Sequence, residues 1–279
     1  MWIYPLVLLL STAPPPEPDA AALYAKMALA MNAVRQPAVA NYDETVYPRG
    51  LSVRNVEANG QEVVHLVYSS DKNPHVFEVT QCSSRNSVYV VDPTSGQHYS
   101  AEQPFFAAIW ARAEQTSVIG AARQRMIADL TTATSDAYDV TMAPPQEIGG
   151  YLTYHLLLTA RSDAGAHPLT DLYLDEQTLL PRRAVASFQD DTVARVTGVI
   201  TLNFERAGEY WIVGSGEVAA TVHAYFRQVS GSAAFVASNV TFPSGPCSYP
   251  VTRTRSSSSR FVSGTIARTK MMNTMQSDA

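Results

Sequence analysis

The sequence contains little that points to chemistry. Only two of its 279 residues are cysteine, charged residues make up 16% of it, and no serine lies in a Gly-x-Ser-x-Gly pattern. It has no Gly-rich phosphate loop, and no two of its six histidines stand four positions apart, as a helical metal site would require. We therefore predict no catalytic residue, no metal site and no cofactor, and we expect that the protein is not an enzyme.

The balance of charge argues against a nucleic-acid partner. The formal net charge is −5, and the segment from Pro243 onward holds five basic residues and one acidic residue. The rest of the chain is therefore more acidic than the total, and an acidic surface repels polyanions. The apolar content of 46% is enough for a sizeable core.

The amino-terminal segment, residues 1–19, differs from the rest. Trp2–Leu10 is an apolar run that is too short to span a bilayer, and the small residues Ser11–Ala13 follow it. This pattern favours a signal peptide over a buried amino-terminal strand, and Pro14–Pro18 then forms a stiff linker. We expect a periplasmic or secreted protein.

The two cysteines, Cys82 and Cys247, leave two alternatives open. In an oxidising compartment they could form a disulfide. They could equally be separate small residues, because one pair of cysteines does not establish a disulfide framework.

Helical patterns occur twice. Residues 20–34 combine strong helix formers with apolar residues at helical spacing, Asp19 can cap the start, and Pro37 ends the run. Residues 104–130 contain one or two further helices, in Phe105–Ala111 and Ser117–Leu130.

Most of the remaining chain up to residue 242 predicts antiparallel strands, about eleven in number, joined by short turns. We place turns at Pro48–Gly50, Asn59–Gly60, Pro144–Gly150 and Gly214–Gly216.

The stretch from Tyr151 to Asp191 shows the strand pattern best. It predicts three strands, and the alternating residues Leu152, Tyr154, Leu156 and Leu158 fall on one face of the first. The segment from Glu217 to Arg227 alternates in the same way and places Val218, Val222 and Phe226 on one face; Ser232–Phe242 is the last predicted strand.

The isolated polar residues have structural explanations. His65, His155 and His223 lie in the middle of predicted strands, where a hydrogen-bonded role is the ordinary one, and His98 and His167 lie near turns, where we expect them to be solvated. Adjacent acidic residues are expected in solvent, and Asp175 is expected to bond the backbone of the turn that follows it.

Two segments carry a family resemblance. Gly149–Leu158, Gly-Gly-Tyr-Leu-Thr-Tyr-His-Leu-Leu-Leu, and Asp171–Arg183, Asp-Leu-Tyr-Leu-Asp-Glu-Gln-Thr-Leu-Leu-Pro-Arg-Arg, follow a helix, a meander and mid-chain helices. This arrangement resembles the periplasmic outer-membrane lipoprotein-sorting superfamily, the LolA- and LolB-like lipid carriers, over about residues 20–242. The resemblance implies an α+β, mainly β fold: an unclosed antiparallel β-barrel capped by two or three helices, with an apolar cavity for acyl chains.

We therefore predict a half-barrel domain over residues 20–242 and a flexible Ser-rich tail over 243–279. The first hypothesis for function is a non-catalytic carrier of a lipid or lipoprotein acyl chain, a monomer that contacts membranes transiently. Its predicted ligand-binding residues are Leu152, Tyr154, Leu156, Leu158, Val218, Val222 and Phe226. The alternatives are an interaction module of the bacterial envelope with a filled core, and a hydrolase that uses His155 or His223.

Overall fold

The computed structural model describes residues 18–58, 61–69, 73–82, 87–91, 93–94, 98–102, 118–132, 136–190, 195–224 and 227–247. The chain divides into two units, Met1–Ser248 and Tyr249–Ala279, and every described residue belongs to the first. The predicted signal-like segment, the predicted helical residues Phe105–Ala111 and most of the predicted tail therefore lie outside the described residues.

Two helices lie within the described part of the chain, α1 (Ala20–Ala33) and α2 (Val118–Thr132). The side chain of Asp19 accepts a hydrogen bond from the amide of Ala21 at 3.0 Å and so satisfies one of the free N–H groups of the first turn. The predicted cap and the first predicted helix are thus confirmed.

Twelve strands, all paired antiparallel, form one sheet. They are β1 (Val39–Ala58), β2 (Gln61–Ser69), β3 (His75–Cys82), β4 (Ser87–Val91), β5 (His98–Glu102), β6 (Tyr138–Ile148), β7 (Tyr151–Ala160), β8 (Leu169–Asp175), β9 (Pro181–Asp190), β10 (Arg195–Ala207), β11 (Tyr210–Ala224) and β12 (Arg227–Thr241).

The sheet does not close on itself. Its order is β5-β4-β3-β1-β12-β11-β10-β9-β8-β7-β6, and β2 pairs with the second half of β1. The end strands β5 and β6 have no pairing with each other among the described residues. The predicted class, a mainly β half-barrel with helices against it, is confirmed.

The predicted turn at Pro48–Gly50 is wrong, because β1 continues through it for 20 residues. A shift in register against β12 falls between Arg49 and Gly50, and Gly50 has a positive φ of 87°. A bulge with glycine in this conformation bends a strand without ending it. At this point β1 exchanges its neighbour β3 for β2.

Bulges also explain why the predicted turn Pro144–Gly150 is confined to Gly149–Gly150 and why the one at Gly214–Gly216 is absent. Strand β6 runs through Pro144 and Pro145, which lie at a register shift on an edge strand and so disturb no inner ladder. Strand β11 runs through Gly214 and Gly216. A Cβ at Gly216 would lie 2.5 Å from the Phe235 ring, so glycine there makes room for an aromatic neighbour rather than for a turn.

One predicted strand is in fact part of a hairpin. The segment from Glu217 to Arg227 was expected to be continuous, but β11 ends at Ala224 and β12 begins at Arg227, which pairs with Ala224. The last strand therefore begins five residues before the predicted Ser232.

The apolar core lies between the helices and one face of the sheet. Helix α1 packs against β6 and α2, and α2 packs against β9. Methionine supplies much of the contact surface of the helices: Met27 and Met126 are fully buried and Met31 is 6% exposed. This unbranched side chain fits irregular gaps in a core.

A disulfide joins Cys82, at the end of β3, to Cys247, six residues beyond β12. The Cα atoms are 5.8 Å apart and the two residues are 165 positions apart in sequence. The pairing that the sequence left open is therefore made. It ties the segment after β12 to the half of the sheet that contains β3.

We expect the double substitution Cys82→Ser and Cys247→Ser to lower the free energy of unfolding by about 2–4 kcal/mol, because the cross-link restricts the unfolded chain. Urea unfolding with and without reductant measures this. Reductant should destabilise the wild type and leave the double variant unchanged; an equal effect on both would contradict the assigned disulfide.

Candidate functional site

The predicted ligand-binding residues occupy different environments. Leu156, Leu158 and Val218 are 0–4% exposed and belong to the core beneath the helices, and Tyr154 is partly buried against it. Leu152 is 56% exposed, so it does not share their environment. It pairs with Glu147 beside the β6–β7 turn, at the rim of the sheet.

Two of the predicted residues cannot be placed in this way. Val222 lies in β11 opposite Val196, but its side chain is outside the described residues, and so is Phe226. A ligand-binding role for these seven residues remains a prediction. For Leu156, Leu158 and Val218 it requires the helices to move away from the sheet.

A buried carboxylate joins the helices to the sheet. Asp129 of α2, 4% exposed, accepts a hydrogen bond from the Tyr138 hydroxyl on β6 at 2.6 Å. Its other carboxylate oxygen lies 3.2 Å from Nδ1 of His167. The Tyr24 hydroxyl of α1 donates to the backbone carbonyl of Asp129 at 2.9 Å. We call these four residues the Asp129 junction.

The hydroxyls of Tyr24 and Tyr138 in the Asp129 junction stay protonated and donate hydrogen bonds. Burial, followed by the charge of Asp129, raises the pKa of Tyr24 far above its usual range. Burial and the hydrogen bond to Asp129 raise the pKa of Tyr138 in the same way. The Tyr138 hydroxyl also accepts from the amide of Leu169 at 3.1 Å. His167, predicted to be solvated, is instead part of this junction and is 26% exposed.

A second polar cluster lies on the face of the sheet away from the core. His155 is 7% exposed, its ring stacks on Tyr173 at 4.2 Å between centroids, and its Nε2 lies 3.0 Å from Asp171. Its Nδ1 lies 3.5 Å from the side-chain nitrogen, Nε2, of Gln146.

The His155 cluster does not form a nucleophile and base. The Thr153 hydroxyl on the same strand donates to the Gln146 carbonyl at 2.7 Å, and both ring nitrogens of His155 face other residues. A hydrolase needs a nucleophile within hydrogen-bond reach of its base. Burial, followed by the charge of Asp171, raises the pKa of the Tyr173 phenol, while Arg183 lowers it.

The motif that carried the family resemblance has a structural role. Asp175 Oδ1 accepts from the amides of Gln177 and Thr178, both at 3.0 Å, and so closes the β8–β9 turn as predicted. Its Oδ2 accepts from Nε and Nη2 of Arg182 at 3.0 and 2.8 Å. The Arg182 guanidinium lies 3.3 Å from the centre of the Tyr151 ring. The Asp175 carboxylate thus binds both the β8–β9 turn and Arg182 at the start of β9.

An open cleft of about 1140 Å³ lies along the second half of β9, the first halves of β10 and β12, and the second half of β11. None of the five predicted ligand-binding residues whose side chains the structure describes lines it. Its lining includes Arg49 of β1, Ser162–Gly165 of the β7–β8 loop, and residues of β9, β10, β11 and β12. The loop that borders it is bonded to α2, because Arg125 donates to the carbonyl of Gly165. No sequence motif predicted this cleft.

The described part of the chain contains no candidate metal site and no candidate membrane-spanning helix. No group of three or more His, Cys, Asp or Glu side chains there could hold a metal ion. Neither of the two described helices is long and apolar enough to cross a membrane.

The fold defines the class: an α+β protein with an unclosed antiparallel sheet and helices against one face. No protein-family model and no curated protein matches the chain.

Three solved structures illustrate what the chain is similar to. A DUF1329 family protein from Desulfovibrio piger is 17% identical, with 81% of this chain and 94% of that chain covered and a TM-score of 0.34. A LolA superfamily protein from Nitrosomonas europaea is 11% identical over 81% and 94%, with a TM-score of 0.33. A chain of the MucA/MucB complex of Pseudomonas aeruginosa is 14% identical, with 79% of this chain and 93% of that chain covered and a TM-score of 0.25. These solved structures include the superfamily that the sequence resembles, but such values do not place the chain in it.

We expect Asp175→Asn to lower the free energy of unfolding by about 3 kcal/mol, because it leaves the buried Arg182 without its charge partner. Burial alone would raise the pKa of Asp175, but Arg182 and the turn amides bring it below its ordinary value. A lowered pKa means that the charged carboxylate stabilises the fold above about pH 4, and that this stability is lost as the pH falls further.

Urea unfolding between neutral and strongly acidic pH tests this. The wild type should lose stability below about pH 4, while Asp175→Asn should change less over the same range. Asp139→Asn is the matched control, since Asp139 pairs with Arg161 at the exposed surface and such pairs contribute little. An equal loss of unfolding free energy in Asp175→Asn and Asp139→Asn would contradict the stabilising role assigned to Asp175.

We expect Tyr138→Phe to lower the free energy of unfolding by about 2 kcal/mol, because it removes a donor from the buried Asp129 carboxylate. Tyr154→Phe is the matched control: it deletes the same atom from a partly buried tyrosine of the same sheet. Thermal unfolding of both variants compares them. A smaller loss for Tyr138→Phe than for Tyr154→Phe would show that the Asp129 junction does not stabilise the fold.

Proposed function

We propose that this protein is a non-catalytic binding protein of the bacterial envelope, which holds the acyl chain of a lipid or an acylated protein between its sheet and its two helices. The observation that carries the proposal is the one-sided apolar face of an unclosed sheet, covered in the described residues by two helices. An apolar face of this kind can exchange a helix for an apolar ligand at little cost in buried area.

The interface between helices and sheet suits such an exchange. Met27 and Met126 meet the same core as Leu156, Leu158 and Val218. Methionine side chains re-pack readily around new neighbours, which is why they are common at surfaces that bind varied apolar partners. The predicted residues Leu156, Leu158 and Val218 would then contact the ligand after the helices shift.

Two features support a location outside the cytoplasm. The Cys82–Cys247 disulfide persists in oxidising compartments, and the apolar run Trp2–Leu10 has the pattern of a signal peptide. Together they favour the periplasm or secretion, where acylated molecules must be shielded from water.

A second candidate is an interaction module that binds another envelope protein and no lipid. The close packing of the predicted ligand-binding residues favours it, since Leu156 is fully buried and Leu158 and Val218 are 3–4% exposed. In that case the core has only a structural role and the partner contacts the outer face or an edge of the sheet.

The test is titration with a fluorescent fatty acid, followed by native mass spectrometry after incubation with phospholipid vesicles. We expect saturable binding at one site in the wild type. Met126→Ala should bind about tenfold more tightly, because it opens space in the core. Leu29→Ala is the control: it shortens an apolar side chain of α1 that is 71% exposed and should leave affinity unchanged.

The absence of saturable binding in the wild type and in Met126→Ala would reject the carrier function and favour the interaction module. Equal affinity in all three proteins would place the ligand outside the interface between helices and sheet.

A further inference from the structure

The cleft at β9–β12 lies on the face of the sheet opposite the core. Ala186, Ile200, Val218 and Ala233 are 0–3% exposed and point into the core. Side chains alternate along a strand, so the residue before or after each of them points the other way. Most side chains that line the cleft therefore point away from the interface where we place the acyl chain, and the core residues Phe188 and Ala220 also border the cleft.

Two cross-strand rows form its floor, and five of their eight side chains carry hydroxyl groups. Ser187, Val199, Ala219 and Ser232 pair in one row across β9, β10, β11 and β12. Gln189, Thr197, Thr221 and Ser230 pair in the next row on the same face. The floor spans about 14 Å across four strands.

Hydroxyl groups dominate this floor. The Thr221 and Ser230 hydroxyls lie 2.9 Å apart, and the other hydroxyls face the open cleft. A hydroxyl both donates and accepts hydrogen bonds, so such a surface suits a ligand that also does both. Acyl chains do neither, and they would leave these groups without partners.

The charged residues of the cleft exclude a polyanion. Arg49 lies at the β1 side, Asp163 lies in the β7–β8 loop, and Glu217 lies on β11 between them. Two acids against one base repel phosphate-rich ligands. A neutral ligand can use all three, because carboxylates accept and guanidinium groups donate hydrogen bonds.

An exposed aromatic side chain lies outside the cleft lining, on the strand that also carries Arg49. Tyr47 is 42% exposed, and it shares a cross-strand row with Ala234 and Glu217. Two strand spacings, about 10 Å, separate Tyr47 from Glu217. That gap has the width of a sugar ring with its hydroxyls, and a flat aromatic ring offers an apolar surface to the C–H face of a pyranose.

We propose that this cleft binds a neutral oligosaccharide, with Tyr47 against a sugar ring, Glu217 and Arg49 on its hydroxyls, and the Ser/Thr floor along the rest of the chain. A peptide would use the same donors and acceptors, but it would not need an exposed aromatic side chain in the same cross-strand row as a carboxylate. The cleft is independent of the proposed acyl-chain site, so either can be absent without the other.

The test is isothermal titration and saturation-transfer NMR of the full-length protein with chitotetraose, maltotetraose and cellotetraose. At least one of these should bind at millimolar concentration or below. Tyr47→Leu keeps an apolar side chain and removes the ring, and Glu217→Gln removes the charge at nearly constant shape. Each should weaken binding about tenfold. Glu147→Gln, at an exposed position of β6, is the matched control and should bind as the wild type does.

Three outcomes would overturn the proposal. One is that none of the three saccharides binds the wild type. Another is that one binds but Tyr47→Leu and Glu217→Gln retain full affinity. The third is that an unstructured peptide competes for the same residues more strongly than any saccharide. Fatty-acid titration of the same variants should match the wild type, which separates failure of this site from failure of the acyl-chain site.

Discussion

The pairing of the first strand with the last is the constraint on which the rest of the structure depends. Residues 41–50 of β1 pair with residues 232–241 of β12 and so join two meanders that would otherwise be separate sheets. Without this pairing the apolar faces of the two halves would not share one core. The Cys82–Cys247 disulfide secures the same junction, because it ties the segment after β12 to β3, the other neighbour of β1.

Buried charges in this protein sit where elements meet. Polar groups of α1, β6 and the β7–β8 loop contact Asp129. Asp175 accepts hydrogen bonds from its own turn and from β9. Each carboxylate is costly to bury, and each has several donors that offset the cost only in the folded geometry. These contacts fix the helices and turns without forming a catalytic arrangement. The inner face of the sheet is apolar and covered by the helices, and the outer face carries the hydroxyl groups of β9–β12.

Short sequence patterns predicted a helix or strand correctly where the structure depends on residues close together in the chain. The three strands predicted within Tyr151–Asp191 are present as β7, β8 and β9, and the cap by Asp19 is made. These patterns failed at Pro48–Gly50, Pro144–Pro145 and Gly214–Gly216, where the structure has bulges within continuous strands. The predicted turn is made at Gly149–Gly150. Proline and glycine mark a departure from regular strand geometry, and only the neighbouring strand decides whether that departure is a turn or a bulge.

The sequence by itself determined the class of fold, the alternation of apolar and polar side chains, and the turn that Asp175 closes, because each depends on residues close together in the chain. The tertiary structure alone decided the pairing of β1 with β12, the disulfide and the Asp129 junction, which join residues far apart in sequence. It also decided that Leu156 packs under a helix while Leu152, on the same predicted face, is exposed. Alternation assigns a side chain to a face of the sheet, but the packing of other elements determines which part of that face is covered.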